Sequence, residues 1–100
     1  MSDSQILAEL YQVIMDRKEN PKEGSYTNYL FQKGQDKILK KVGEEAAETI
    51  IASKNNDNAE IIYEASDLLY HLLVLLAHHN IQPQEIYAEL AKRRQEMGKA

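Results

Sequence analysis

Apolar residues recur at every third or fourth position along most of the chain, which is the spacing of one face of an α-helix. The first such stretch runs from about residue 4 to residue 19, and Asp3 or Ser4 is placed to cap its start. Asn20 and Pro21 end it, because proline cannot continue a helix. The pattern therefore predicts a first helix followed by a loop.

A short segment and then a long helix are predicted next. Ser25 or Thr27 can cap a helical turn over residues 28–32. Gly34 then indicates a break or a kink before a helix over about residues 35–53. The apolar stripe of this second long helix consists of Ile38, Leu39, Val42, Ala46, Thr49 and Ile50.

Two further long helices follow. Asp57 is placed to cap the third, with Glu60 three residues later in a capping-box pattern. This helix is predicted to continue to about His79, with Asn80 available to close it. The last helix is expected to start near Pro83, a good first-turn residue, and to end at residue 98.

These elements predict an all-α fold. Three of the four connections are short, so neighbouring helices should run antiparallel. We therefore expect one domain over residues 1–100, built as an antiparallel bundle of four main helices.

The third long helix carries leucines in nearly every direction around its axis, and a helix that is apolar all round must be covered all round. One short chain covers it poorly, so a homodimer is predicted to complete the bundle.

Composition limits the chemistry that is available. The chain has 100 residues, no cysteine, 28% charged residues and a formal net charge of −4. Disulfides and thiolate metal sites are excluded, and general nucleic-acid binding is not expected of an acidic protein. No apolar run reaches the roughly 18 residues of a membrane span, and Met1 leads into polar residues unlike a signal peptide. We expect a cytoplasmic protein without a membrane partner.

Two acidic clusters carry the functional hypothesis. Glu44, Glu45 and Glu48 lie on the second long helix, and Glu64 and Asp67 lie on the third. Within each cluster the carboxylates share one sector of the helix. The first cluster alone is typical of a solvated face. The second lies in a sector that becomes apolar one turn further on, where unpaired carboxylates are costly, and its helix has no lysine or arginine.

Antiparallel packing would bring the two clusters opposite each other. Four or five facing carboxylates repel strongly unless divalent cations lie between them, and Mg²⁺ prefers oxygen ligands and also binds phosphates. The sequence therefore predicts a Mg²⁺ site between the two helices. A di-iron site needs Glu-x-x-His pairs, and the nearest arrangement, Asp67 and His71, has the wrong spacing.

Basic side chains precede the first glutamate cluster. They are Lys33, Lys37, Lys40 and Lys41. A site that binds polyphosphate needs positive charge beside its metal, so these lysines are candidates for phosphate contacts. Lys41 and Glu45 are also spaced for ordinary helix pairing, and that alternative stays open.

Four other polar residues are candidate substrate ligands, each with a structural alternative. Ser25 and Thr27 precede a helical turn and can bind a phosphate or simply cap the helix. His71 lies on the carboxylate stripe of the third helix, where it is a substrate ligand or a hydrogen-bonded buried histidine. Arg93 on the last helix can reach an anion or be solvated.

Three stretches of sequence form a specific combination. They are Gly24-Ser25-Tyr26-Thr27, then Lys37-Ile38-x-Lys40-Lys41-Val42-Gly43-Glu44-Glu45-Ala46-x-Glu48, then Glu64-Ala65-x-Asp67-Leu68-x-Tyr70-His71. The two acidic motifs resemble the signature of the MazG-like all-α nucleoside triphosphate pyrophosphatase superfamily. The whole combination, over about residues 7–93, resembles its phosphoribosyl-ATP pyrophosphatase branch, which belongs to histidine biosynthesis.

The resemblance implies an activity and a ligand set. Phosphoribosyl-ATP would be cut between its α and β phosphates, giving phosphoribosyl-AMP and pyrophosphate. The Mg²⁺ ligands would be Glu45, Glu48, Glu64 and Asp67, with Glu44 as a further ligand or an orienting group. Members of the branch are helical homodimers, and this chain, without a second catalytic domain, would be the stand-alone form.

Catalytic roles follow from that chemistry. Glu44 or Glu45 would take a proton from the attacking water, and Lys37 or Lys41 would stabilise charge on the leaving pyrophosphate.

Two alternative functions stay open. One is a house-cleaning pyrophosphatase that acts on ordinary or damaged (d)NTPs with the same metal site, and the other is a non-catalytic dimeric helical module.

Overall fold

The computed structural model describes residues 5–98, and within that range the protein is built from five helices without a strand. They are α1 (Ile6–Glu19), α2 (Tyr26–Lys33), α3 (Gln35–Lys54), α4 (Asn58–His78) and α5 (Pro83–Met97). The predicted all-α fold is confirmed. The segment expected as a single turn over residues 28–32 is a longer helix, α2. The proposed caps of the first helix, Asp3 and Ser4, lie outside the described residues.

Side-chain caps start two of the helices at the predicted places. The Ser25 hydroxyl accepts a hydrogen bond from the Asn28 N–H at 3.2 Å and begins α2. The Asp57 carboxylate accepts one from the Glu60 N–H at 3.1 Å and begins α4. The Asp57 N–H donates to the Ala52 carbonyl at 3.2 Å, so it is not left for the reciprocal bond of a capping box.

Residues with positive φ close helices where the sequence predicted breaks. Gly34 has a φ of 92°, a conformation that L side chains rarely adopt, and it separates α2 from α3. Asn80 has a φ of 59° and follows α4. Lys18 of α1 donates to the Ala77 carbonyl and to the Asn80 side chain, both at 2.8 Å. This contact, which the sequence did not predict, ties the end of α4 to α1.

The core lies where the first four helices meet. Consecutive helices α3 and α4 are joined by a three-residue turn and form the most extensive helix pair, so they run antiparallel as predicted. Helices α1 and α2 pack against this pair, whereas α5 contacts chiefly α1. The buried cluster consists of Tyr11, Ile14, Leu30, Ile38, Leu73, Val74 and Ala77.

Much apolar surface remains outside that core. In α4, Leu69 is 49% exposed and Ile62 is 68% exposed, although Val74 on the same helix is fully buried. The radius of gyration is 15.1 Å, larger than the value of about 13 Å for a compact chain of this length. A single chain therefore covers α4 only in part, as its leucine pattern predicted.

By length and composition, α4 also resembles a membrane-spanning helix. The sequence pattern did not predict this resemblance, because Glu64 and Asp67 interrupt the apolar run of α4. In the structure α4 packs against α3 and α1 and buries Leu73 and Val74 in the core. A core helix meets the same length and composition requirements, so the resemblance is weak evidence for a membrane span.

Candidate metal centre

Three carboxylates from two helices meet in one place. Glu45 and Glu48 are three residues apart and therefore share a face of α3. The antiparallel packing of α3 and α4 brings Glu64 opposite them, and one carboxylate oxygen from each of the three residues lies within 4.8 Å of the others. We call Glu45, Glu48 and Glu64 the carboxylate group. Sequence reasoning predicted that these three side chains would face one another.

Two members of the carboxylate group are buried without full hydrogen bonding. Glu45 is 5% exposed and Glu64 is 9% exposed. The Oε2 atom of each is shielded from solvent and has no hydrogen-bond partner. Such atoms are uncommon in folded proteins, because a buried oxygen without a partner loses its hydration and receives nothing in return. The donor set has room for a cation.

The carboxylate group binds a proton unusually tightly. A hydrogen bond with Glu48 and then burial raise the pKa of Glu64 to about 8. Hydrogen bonds from Glu64 and then Glu45 lower the pKa of Glu48. These shifts favour a protonated Glu64 and an ionised Glu48 at neutral pH. The proton offsets part of the mutual repulsion of the three side chains.

Glu44 and Lys41 lie beside the carboxylate group. The Lys41 Nζ atom is 3.4 Å from Glu44 Oε1 and 3.6 Å from Glu45 Oε1. The ordinary helix pairing considered for Lys41 is therefore present, and it also places a positive charge next to the three carboxylates. Glu44 is outside the carboxylate group, and its side chain is 44% exposed.

Asp67 was predicted as a fourth ligand and does not belong to the carboxylate group. It lies three residues after Glu64, on the same face of α4. Its backbone carbonyl accepts a hydrogen bond from His71 Nδ1 at 2.9 Å. A ligand role for its carboxylate stays a prediction.

His71 is a fully hydrogen-bonded buried histidine. It is 4% exposed, and its Nδ1 atom donates to Asp67, since a carbonyl can only accept. Its Nε2 atom therefore accepts the bond from the Tyr26 hydroxyl at 2.9 Å. Neither ring nitrogen is left for a substrate, so the structural alternative considered for His71 fits better than the predicted substrate contact.

The two hydroxyl residues before α2 are also engaged. Ser25 caps α2 through its hydroxyl, as described above. The Thr27 hydroxyl is hydrogen-bonded to the Tyr70 hydroxyl of α4. Both side chains therefore hold α2 in place, and a direct substrate contact from either remains a prediction.

The other predicted basic ligands have different surroundings. The Nζ atoms of Lys33 and Lys37 lie 5.7 Å and 5.9 Å from the centre of the Tyr29 ring. Arg93 bonds Glu89 on its own helix at 3.0 Å, and Lys40 is exposed. Within residues 5–98, neither Arg93 nor Lys40 forms an ion pair with the carboxylate group.

Sequence reasoning assigned no role to Tyr26 or Tyr29. Tyr26 lies within the stretch from Gly24 to Thr27, one of the three that carry the resemblance to the family. The two residues are three positions apart on α2, and this spacing was the available signal that their rings share a face. In the structure Tyr26 bonds His71, and Tyr29 lies beside two lysines.

The carboxylate group is accessible from outside. Glu48 and Glu64 line an open cleft of about 190 Å³ between α3 and α4. The remaining lining residues are Ile51, Ala52, Asn55, Asp57 and Glu60. Oxygen donors that lie at the wall of an open cleft, with Lys41 beside Glu45, suit a hard divalent cation together with a phosphate ligand. The fold and the site therefore define an all-α protein with a candidate divalent-cation centre.

Comparison with known proteins identifies the family. The model of the phosphoribosyl-ATP pyrophosphohydrolase family matches residues 7–94. The chain is 56% identical over 95 residues to the phosphoribosyl-ATP pyrophosphatase of Pelotomaculum thermopropionicum, covering 95% of this chain and 97% of that protein. It is 64% identical over 88 residues to the phosphoribosyl-ATP pyrophosphatase of Listeria welshimeri, covering 88% and 84% of the two chains. The chain belongs to the phosphoribosyl-ATP pyrophosphohydrolase family.

Some relatives are considerably longer. The chain is 64% identical over 87 residues to the histidine biosynthesis bifunctional protein HisIE of Thermoanaerobacter pseudethanolicus. That match covers 87% of this chain and 40% of the bifunctional protein. The similarity therefore extends to one part of the bifunctional relative and to nearly the whole of the Pelotomaculum protein.

Proposed function

We propose that this protein hydrolyses phosphoribosyl-ATP to phosphoribosyl-AMP and pyrophosphate, in the second step of histidine biosynthesis. The family match over residues 7–94 and relatives named phosphoribosyl-ATP pyrophosphatase support the substrate. The observation that carries the proposal is the carboxylate group beside Lys41, which can hold a cation and a phosphate at the same place. The cut would fall between the α and β phosphates.

Mg²⁺ is the proposed cofactor. Partnerless buried oxygens on Glu45 and Glu64 and an all-oxygen donor set fit a hard divalent cation. Glu45, Glu48 and Glu64 would hold it, with Asp67 as a fourth ligand from the adjacent turn. When bound, Mg²⁺ would supply positive charge to the phosphate oxygens and make a water easier to deprotonate.

Glu44 is the proposed proton acceptor. Of the two candidates, Glu45 already belongs to the carboxylate group, whereas Glu44 lies outside it and is partly exposed. A carboxylate that is free of the cation can receive the proton of the attacking water. Lys41 contacts both Glu44 and Glu45 and would therefore lie near the phosphates. Its positive charge, together with that of Lys37 one turn earlier, would stabilise the leaving pyrophosphate.

A substrate panel tests the function directly. We expect pyrophosphate release from phosphoribosyl-ATP in the presence of Mg²⁺ and none after chelation with EDTA. The panel should include the common dNTPs, because a house-cleaning pyrophosphatase would share the same metal site. Rapid release from dNTPs with phosphoribosyl-ATP left intact would replace the proposed substrate.

A homodimer is the proposed assembly, in the cytoplasm and without a nucleic-acid or membrane partner. Helices α1, α4 and α5 leave an apolar groove of about 230 Å³ between them. It is lined by Leu7, Leu69, Leu72, Leu73, Leu75, Leu76, Pro83, Ile86 and Tyr87. Large exposed apolar surfaces are typical of association sites, and a second copy would also cover the exposed side of α4.

Leu69→Glu should weaken the dimer. Leu69 lines the apolar groove and is half exposed, so a charge there would have to be buried on association. We expect wild type to elute as a dimer and the variant to shift towards monomer, measured by light scattering over a range of concentrations. Gln35→Glu, an added charge at the exposed start of α3, is the control. Wild type that remains monomeric at high concentration would contradict this assembly.

A further inference from the structure

Two exposed tyrosines form an aromatic surface on α2. Tyr26 is 46% exposed and Tyr29 is 38% exposed. Their ring centres are 6.1 Å apart with planes inclined by 25°, and Tyr70 of α4 stacks against Tyr26 with centres 6.2 Å apart. We call Tyr26 and Tyr29 the tyrosine shelf. Tyr26 is held in place by Tyr70 and by its hydrogen bond to His71, and Tyr29 stacks on Tyr26.

The tyrosine shelf lines a pocket of about 470 Å³. The other lining residues are Lys22, Glu23, Gly24, Ser25, Asn28 and Gln32. Asn28 is 7% exposed, and its side-chain oxygen accepts a hydrogen bond from the Lys22 N–H at 3.1 Å, which holds the loop against α2. The pocket therefore combines two aromatic rings with polar groups on a supported frame, a composition suited to a small polar aromatic ligand.

A row of lysines connects the tyrosine shelf to the carboxylate group. Lys33 and Lys37 lie beside the Tyr29 ring. On α3, Lys37, Lys41 and Glu45 follow one another at four-residue spacing, which is about 6 Å along the axis per step. Positive charge thus lies between an aromatic surface and a candidate cation site. This order suits a ligand with an aromatic ring at one end and phosphates at the other.

We infer that the tyrosine shelf binds the purine ring of the substrate, with the phosphates running along the lysines towards the carboxylate group. The inference rests on the proposed function, which supplies a substrate with both parts. An exposed aromatic ring holds a lysine only weakly. The ion pair of a lysine with a phosphate is a stronger interaction, and so is the stacking of a base on a tyrosine ring. On binding, the lysines move to the phosphates and the purine covers the Tyr29 ring.

Two substitutions at Tyr29 separate ring stacking from side-chain volume. Tyr29→Leu removes the aromatic face and keeps an apolar side chain, whereas Tyr29→Phe keeps the ring. Calorimetric titration of the intact protein with ATP and with tripolyphosphate, both with Mg²⁺, compares a ligand that has a purine with one that has none. We expect Tyr29→Leu to weaken ATP at least about ten-fold, and tripolyphosphate by less than about two-fold. Tyr29→Phe should bind both ligands as wild type does.

Equal losses for ATP and tripolyphosphate in Tyr29→Leu, or no loss for either, would overturn the assignment. Thermal melting checks the folding of both variants. A measurement on wild type alone gives a second test: saturating the tyrosine ring protons by NMR should transfer magnetisation to adenine H2 and H8, and its absence with ATP bound would also overturn the assignment. These measurements do not require turnover. Wild type that binds ATP through the shelf but releases no pyrophosphate from phosphoribosyl-ATP would refute only the proposed function.

Discussion

Glu48→Gln should lower pyrophosphate release at least about a hundred-fold, because Glu48 is a proposed ligand of Mg²⁺ and such a ligand contributes several kcal/mol to stabilising charge in the transition state. Glu48 is the most exposed member of the carboxylate group and lies at the wall of the cleft. The amide has nearly the same shape as the carboxylate but no negative charge. It therefore binds a divalent cation poorly while it can still accept the hydrogen bond from Glu64.

The same variant should melt at a higher temperature than wild type when metal is removed at pH 9, above the pKa of Glu64. There all three carboxylates are ionised, their oxygens lie within 4.8 Å of one another and they repel in the absence of a cation, and the amide removes one of the charges. Melting curves in EDTA, followed by circular dichroism, measure this effect. Activity and stability should thus change in opposite directions, which an unfolded or misfolded variant would not do.

Glu96→Gln is a matched control for Glu48→Gln. It is the same chemical change at an exposed residue of α5, paired only loosely with Lys92 at 4.0 Å. We expect it to leave pyrophosphate release and metal-free melting unchanged. Full activity in Glu48→Gln would remove Glu48 from the metal site. Full activity in the corresponding variants of Glu45 and Glu64 as well would favour the non-catalytic helical module.

The second prediction concerns pH, and its sign follows from the proton on Glu64. The pKa of Glu64 is raised from 4.5 to about 8 in the folded protein, through its hydrogen bond with Glu48 and through burial. Between these two values the folded protein binds more protons at this site than the unfolded chain does. The free energy of unfolding of the metal-free protein should therefore fall as the pH rises through that interval. The lowered pKa of Glu48 has the opposite effect, at the acidic end only.

Glu64→Gln isolates the contribution of that residue, because the amide has no proton to lose. Denaturant unfolding of both proteins in EDTA, at several pH values from 5 to 9, should give a decline for wild type that is smaller in the variant. Adding Mg²⁺ to wild type should restore more stability at pH 8.5 than at pH 6, because the ionised carboxylates bind the cation. Parallel pH profiles for wild type and Glu64→Gln would show that Glu64 does not hold this proton.

The helices were largely predictable because their causes are local. The recurrence of apolar residues depends on the pitch of the helix, and the Asp57 cap and the Gly34 break depend on neighbouring residues only. The length of α2 was underestimated. Its stability comes from contacts with distant residues, including the bond from Thr27 to Tyr70 of α4 and the burial of Leu30, which periodicity over eight residues does not reveal.

The candidate site was predictable in part. The shared face of Glu45 and Glu48 follows from helical geometry, and the antiparallel turn after α3 made Glu64 their expected neighbour. The same reasoning placed Asp67 with them, but Asp67 does not belong to the carboxylate group. A helical wheel assigns a residue to a sector, whereas meeting across two helices also depends on axial register and on side-chain rotamers.

The amino-acid sequence by itself determined the all-α architecture, the helices that carry the acidic residues and the resemblance to the family, since these depend on local spacing and residue type. Only the tertiary structure decided which carboxylates meet, which of their oxygens are buried without a partner, and that His71 bonds Tyr26 instead of facing a ligand. It also placed two tyrosines beside the lysines. These features depend on how residues far apart in the chain exclude water from one another, and that is a property of the packed bundle.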